Sequence, residues 1–516
     1  MKRIPASKLA IAMILILSLI ATACSSDSSK GTSNEGNGAP NLTIALAGEP
    51  EGLDPQNSSD NISNMITYQI ADNLVTFNQD MQIVPQLAES WMVSDDEKSW
   101  TFKLKQGVTF QDGAPFNADA VKTSFERVIN ENNKLTRYSL LGPFIDHISV
   151  NGDTEVTFHL KNPLGPFLNN LAAPGSAILS PKSIKENPAG IDKNPVGTGP
   201  FKLKEWSTGN HLLLEANPDY WGGKPNVGTL TFKPVPDNSA RVLMLETGEA
   251  DVILPVPTSD IDRLAKNDQL AISSRQTNRV LYIGLNNAKA PLNNVKVRQA
   301  LNYAIDKETL VNKLLQGRVK VATSAIGEKV FGYSNVGAIP YDPNKAKQLL
   351  QEAGVIEGTT LRFVYSSNVP QDRQAAEFVQ NSLQQLGLKV ELRQLELGTY
   401  TDTIKDPESF EMYLRGAAPL TNDADYVLRA LLLSGSKNNY NGFANPEIDR
   451  LLETGFTVTR QEEREKIYAD LLKRIKEEAP WIFLYEDMAH IGMRKNVEGI
   501  GLLATQTMDF RKVIKR

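Results

Sequence analysis

Few residues in this chain are suited to covalent chemistry, and those few are not grouped. There is one cysteine, Cys24, in 516 residues. A lone thiol forms no internal disulfide and excludes Cys-based zinc or iron–sulfur sites. The four histidines, His147, His159, His211 and His490, show no metal-ligand spacing. No G-x-S-x-G, Walker, H-E-x-x-H or EF-hand pattern occurs. Gly197-Thr198-Gly199-Pro200 comes nearest to a phosphate loop. Its proline lacks the N–H that a phosphate cradle needs, so it reads as a turn. Carboxylates are plentiful, but sequence alone does not pair them. The missing motifs weigh against catalysis.

The one cysteine stands where it could be modified. Lys2, Arg3 and Lys8 precede an apolar run from Leu9 to Ile20, shorter than the roughly 20 residues that span a bilayer. Ala21-Thr22-Ala23 follow, then Cys24. This pattern resembles a bacterial lipobox, with Ala21 where leucine is usual. The expectation is a signal peptide over 1–23 and lipidation at Cys24. Residues 24–40 would be the lipidated N-terminus and a flexible tether, because Ser, Gly, Asn and charge cannot bury enough surface to fold. The body would then be lipid-anchored on the outer side of the cytoplasmic membrane, extracellular in a Gram-positive cell and periplasm-facing otherwise.

Composition narrows the class. The formal net charge is −5, with 41% hydrophobic and 22% charged residues, which suits a soluble globular body. The mild acidity argues against a nucleic-acid partner. The mean hydropathy of −0.30 excludes a polytopic membrane protein. The length implies two to four domains.

The periodicity alternates strands with helices. Leu42 to Ala47 and Ser99 to Leu104 alternate as strands. His147 to Val150 and Thr154 to Leu160 flank Asn151-Gly152-Asp153, a hairpin signal. Apolar spacing predicts a helix after Asn117. Others are predicted from Asp342-Pro343 to Gly354, from Gln371 to Leu386, from Asn445-Pro446, and from Gln461 to Glu478. Leu388 to Leu395 reads as a strand, and Trp481 to Leu484 as a buried one. Tyr426 to Leu433 could be helical, with Asp425 as its N-cap.

Several blocks in order resemble the large peptide-binding proteins of bacterial ABC importers. They begin with Leu53-Asp54-Pro55 and continue with Pro85 to Trp91, Trp100-Thr101-Phe102 and Gly107 to Ala118. Pro195 to Phe201, Tyr220-Trp221, Leu245 to Asp251, Val297 to Asp306 and Tyr341 to Gly354 follow. The resemblance implies an α/β, two-lobed, type II periplasmic-binding-protein-like clamshell with an additional smaller third domain. Lobe I would comprise 41–80, 195–282 and 491–516, the extra domain 81–194, and lobe II 283–490. Two strands would cross between the lobes as a hinge, one of them at Val280 to Leu285. The implied partners are a small ligand and the permease and ATPase subunits of the importer, with the membrane reached only through the lipid. No cofactor or catalytic residue is implied.

Within this family the dipeptide and oligopeptide receptors hold the ligand ammonium with an aspartate, at a position that aligns with Leu420 or, after a short gap, Asp423. Their carboxylate-binding arginine would fall near Ser366 to Asn368, where none exists. Asn422 to Leu428, Leu135 to Leu140, Tyr365 to Asn368 and Ala479 to Ile482 are similar to the glutathione-binding branch. Glutathione carries two carboxylates and one ammonium, so its site should offer cations as well as an acid. Arg137 and Arg415 are the candidate carboxylate clamps, and Asp423 or Asp425 the ammonium partner. Tyr138, Ser366 and Asn368 complete the candidate ligand-binding set. A nickel chelate, an opine or haem on the same fold is the alternative ligand class. A tethered extracellular enzyme or folding factor is the alternative activity.

Overall fold

The computed structural model describes residues 39–516. The expected signal peptide, Cys24 and nearly all of the 24–40 tether lie outside the described residues. Among the described residues, no helix is long and apolar enough to cross a membrane.

The fold is two-lobed α/β, built on one eleven-stranded sheet that passes through both lobes. From one edge the order is Lys389–Leu395, Thr360–Ser366, Met412–Ala417, Leu270–Leu285 and Trp481–Arg494. It continues through Val252–Leu254, Asn41–Leu46, Thr229–Pro234, His211–Ala216 and Phe201–Ser207. Lys320–Val321 pairs off this path with Trp481–Arg494. In one half the sheet buries Leu42, Ile44, Phe201, Leu230 and Ile491, joined by Phe510 from the C-terminal segment. In the other half it buries Ile283, Phe363, Leu414 and Ile482, covered by Leu301 and Val379 from helices.

Two antiparallel strands serve both halves. Leu270–Leu285 runs for 16 residues and Trp481–Arg494 for 14. Their register is regular from Leu270↔Arg494 to Gln276↔Met488, breaks, and resumes at Val280↔Glu486. The ladder is therefore interrupted at 277–279, just before the Val280 to Leu285 stretch expected to act as hinge. The predicted Trp481 to Leu484 strand is only the start of the second crossing strand. Its first six residues, Trp481 to Glu486, are all buried, so no alternation marks its length.

The smaller domain has its own four-stranded antiparallel sheet, ordered Ala88–Val93, Ser99–Leu104, Glu155–Leu160 and Ile145–Asn151. The last two form the hairpin predicted from Asn151-Gly152, with Gly152 at φ +60°. Asn117 caps the helix Ala118–Ile129 by accepting from the Ala120 N–H at 3.0 Å. Phe125 from that helix meets Phe158 edge-on at 4.9 Å, and Phe158 in turn packs on Phe102 and Phe167. Phe102 and Trp100 are buried in this core, where truncating one such ring costs about 3–5 kcal/mol. His147 and His159 stack at 4.2 Å on the outer face of this hairpin, and His159 is tied to Ser99 and Ser149.

The turn Gly197-Thr198-Gly199-Pro200 presses on the end of the helix Asn61–Ile70. A Cβ on Gly197 would stand 2.4 Å from the Ile70 carbonyl oxygen. Close backbone approach, rather than anion binding, explains these glycines.

Candidate functional site

The site is built around the helix Ala424–Leu432 and the loop before it. Asp423 caps this helix, accepting from the Asp425 N–H at 3.0 Å. The cap is thus Asp423, and the expectation of Asp425 in that role is corrected. Both Asp423 carboxylate oxygens bind Arg464, at 2.8 and 2.9 Å, and neither side chain reaches solvent. Arg464 also donates Nε to the Gly455 carbonyl and lies on the Phe331 and Tyr468 rings. Asp423 is consequently occupied by the fold. The loop ahead of it is fixed as well, because Asn278 donates to the Pro419 carbonyl at 2.9 Å. Asn278 belongs to the interrupted segment of the crossing strand, so strand and loop are held together.

Asp425, in the first turn, faces the opposite way. It lines a cavity of about 630 Å³. This volume is within the ordinary range of small-ligand sites. Asp425 is 8% exposed, and among the described residues its Oδ1 has no hydrogen-bond partner. Burial, reinforced by the Asp423 carboxylate, pushes its pKa up to about 7, against the pull of Arg429 and Arg464. Arg415, on the strand Met412–Ala417, enters the same cavity with its guanidinium 5.2 Å from the Tyr440 ring. No carboxylate among the described residues forms an ion pair with it. Arg429 also lines the cavity but is paired with Glu453 at 2.8 Å. The facing wall is Ser139, Leu140, Phe144, Pro166 and Asn170 of the smaller domain.

That wall is closed onto the helix lobe by direct bonds. The Gly165 N–H donates to the Phe456 carbonyl at 2.7 Å, and Asn169 donates to the Thr421 carbonyl at 3.2 Å. Phe144 packs edge-on against Phe456. A Cβ on Gly165 would sit 2.3 Å from the Val458 oxygen, so this seam requires glycine.

A second chamber of about 220 Å³ adjoins the first, sharing Ala418 and Tyr426. Arg137 lines it, 6% exposed. Arg137 donates to Asn64 Oδ1 at 3.3 Å, leaves its buried Nε without a partner, and forms no ion pair among the described residues. Burial lowers its pKa from the usual arginine value, with Tyr426 and Asp60 acting in the opposite direction. Leu420, which aligns with the family aspartate, lines this chamber too. A third chamber of about 330 Å³ shares Arg279 and Gln506 with the second. It includes Asp372, Asp487, Arg318 and His490.

The sequence-predicted residues thus fall into three groups. Arg415 and Asp425 share one cavity, and Arg137 lines the chamber beside it. Asp423 is closed off with Arg464. Tyr138, Ser366 and Asn368 line none of the three chambers. Tyr138 lies over Gly142, whose added Cβ would meet the ring at 2.1 Å. Ser366 accepts from the Asn368 N–H at 3.3 Å, and Asn368 is exposed. Sequence reasoning missed Arg279, Asp372 and Arg429. Arg279 carries no local signal, because it stands at the break in the strand register, and its guanidinium packs over Gly416 where a Cβ would collide with it. Asp372 follows Pro370 as an ordinary first-turn acid. Among the described residues, no group of three or more His, Asp or Glu side chains is placed to hold a metal ion.

Comparison with known proteins bears on what such a cleft is for. The family model for bacterial extracellular solute-binding proteins, family 5 (middle), matches residues 82–439. The chain is 32% identical over 481 residues to the glutathione-binding protein GsiB of Pectobacterium atrosepticum, covering 92% of this chain and 93% of that one. Its fold is similar to the ABC transporter substrate binding protein CtaP of Listeria monocytogenes, with a TM-score of 0.85 at 26% identity, over 93% of this chain and 99% of that one. It is also similar to NikA of Brucella suis, solved with Fe(III)-EDTA, with a TM-score of 0.84 at 26% identity, over 92% of this chain and all of that one. The chain therefore belongs to family 5 of the bacterial extracellular solute-binding proteins, the substrate-binding, non-enzymatic components of ABC importers.

Proposed function

We propose that this protein captures glutathione or another short peptide between its lobes and delivers it unaltered to the importer's permease. The observation that carries this reading is the set of charges left open in the first two chambers. Among the described residues, Arg137 and Arg415 have no carboxylate partner and Asp425 has no cation bonded to it. Two cations and one acid complement a ligand with two carboxylates and one ammonium, the charge set of glutathione. Buried charges without partners are costly, so a ligand that supplies the partners gains binding energy specific to its own charge pattern. Similarity to a glutathione-binding protein at about one-third identity supports the same class.

Closure follows from the same geometry. A ligand spanning Arg415 and Asp425 on one side and Arg137 on the other has its full set of contacts only when the lobes are together, so it shifts the population toward the closed form. The interrupted ladder at 277–279 is where the crossing strand can flex. Lipidation at Cys24 would keep the receptor on the outer face of the membrane, within reach of the permease.

A second reading, capture of a metal chelate, draws on the Fe(III)-EDTA complex of a structural relative. A polycarboxylate would satisfy both arginines but leave Asp425 opposed. Calorimetry of the purified protein against glutathione, dipeptides, longer peptides and metal chelates separates the two. The peptide reading expects one-to-one binding of glutathione or a short peptide, recovered intact. Binding of chelates alone, or hydrolysis of the peptide, contradicts it.

A further inference from the structure

The third chamber lies beyond Arg279 and is lined by two arginines and two aspartates, but their pairing leaves one acid over. Arg279 is bound to Asp487, and Arg318 to Asp262. His490 is engaged with Ser274 through Nδ1 at 2.7 Å. Burial disfavours its charged form. Asp372 feels the Arg279 charge but is bonded to neither arginine. It stands in the first turn of the helix Pro370–Gln384 and is only 5% exposed. Its Oδ1 has no hydrogen-bond partner, and among the described residues it joins no ion pair. A first-turn acid on a wet surface needs no further partner, because water and the helix dipole suffice. A buried one has lost the water, and an ionised carboxylate left alone there is expensive. This carboxylate borders an open chamber rather than packed protein, so a partner can enter and leave.

We propose that the third chamber is a subsite for a cationic group of the ligand, a lysine- or arginine-type side chain or a primary amine, held by the Asp372 carboxylate. Gln371 and Gln374 line the same chamber and offer amide oxygens to the remaining N–H groups. The second chamber, which shares residues with both neighbours, is the passage through which an extended ligand reaches it. The pairing supports this choice, since Arg279 is bound to Asp487 and Arg318 to Asp262, which leaves Asp372 as the chamber's acid without an ion pair among the described residues. The inference rests on the short-peptide reading above and deepens it: peptides bearing a second positive charge should bind better than neutral ones of the same size.

The test is calorimetry with three pairs of alanine-based tripeptides, each pair carrying lysine or norleucine at one position. The two side chains match in length and differ in charge. In the unmodified protein, lysine is expected to exceed norleucine by about tenfold or more at one position, as a charge-assisted hydrogen bond requires. Asp372→Asn should abolish that preference while leaving the norleucine peptide's affinity unchanged. Equal affinities within all three pairs in the unmodified protein, or a preference that survives Asp372→Asn, would overturn the subsite alone. If none of the tripeptides binds while glutathione does, the subsite falls and the reading above stands; if glutathione fails as well, both fall.

Discussion

The two faces of the helix Ala424–Leu432 treat neighbouring acids in opposite ways. Behind it, Asp423 is matched atom for atom by Arg464, between aromatic rings and away from water. In front, Asp425 is almost as deeply buried and is left without a hydrogen bond on Oδ1. The first arrangement is complete within the chain and fixes the loop that shapes the cleft. The second leaves a carboxylate oxygen open to the cavity, where the proposed ligand would complete it. Two residues of the same type, two positions apart, are thus held differently, one bound by an arginine 41 residues further along the chain and the other open to the cavity.

The largest effect should come from breaking the closed side. Asp423→Ala would strand a buried guanidinium and is expected to cost about 3–5 kcal/mol of stability in denaturant unfolding, with or without ligand. A loss below about 1 kcal/mol would mean that Asp423 does not have the structural role assigned to it. Next, Arg415→Ala removes a cation from the open side. Affinity should fall about 10- to 100-fold while unfolding stability holds, which calorimetry and denaturation together decide.

A smaller effect lies in the pH dependence of stability. The native Asp425 pKa, about 7, lies above its ordinary 3.8. The folded protein therefore keeps a proton that the unfolded chain releases. That contribution to stability is fully present below about pH 4 and is lost as pH rises through 7. Asp425→Asn should then be more stable than the unmodified protein by about 1–3 kcal/mol at pH 8 and indistinguishable from it near pH 4. A mutant that is less stable at pH 8 would show that the carboxylate is paired in the free protein. The smallest effect is expected from Tyr138→Phe and Asn368→Ala, which should change ligand affinity by no more than about 0.5 kcal/mol. A larger loss in either would extend the site beyond the three chambers.

Local patterns carried much of the fold. Asn117, Asp342 and Asn445 cap the helices expected after them, and Asn151-Gly152 makes its hairpin. What failed was decided at long range. In Asn422-Asp423-Ala424-Asp425 either acid could cap, and only Arg464 selects the first. Trp481 begins a strand far longer than its apolar run suggests, because the strand is shared by two lobes. Arg415 and Arg137 were singled out because a glutathione-like ligand would need cations, and the structure places them in adjoining chambers. Arg279 and Asp372 were missed, because nothing near them in sequence reveals that they border a common chamber.

The account's central claim is that the Asp425 carboxylate receives the ligand's ammonium, and proton release on binding tests it most directly. With its pKa raised to about 7, part of the free side chain is protonated at pH 7, so binding that requires the carboxylate form must expel a fraction of a proton. Calorimetry with glutathione, or with whichever short peptide binds, should be run in buffers of different ionisation enthalpy. It should show that release in the unmodified protein and none in Asp425→Asn. A binding enthalpy independent of buffer, or the same proton release from both proteins, would contradict the claim.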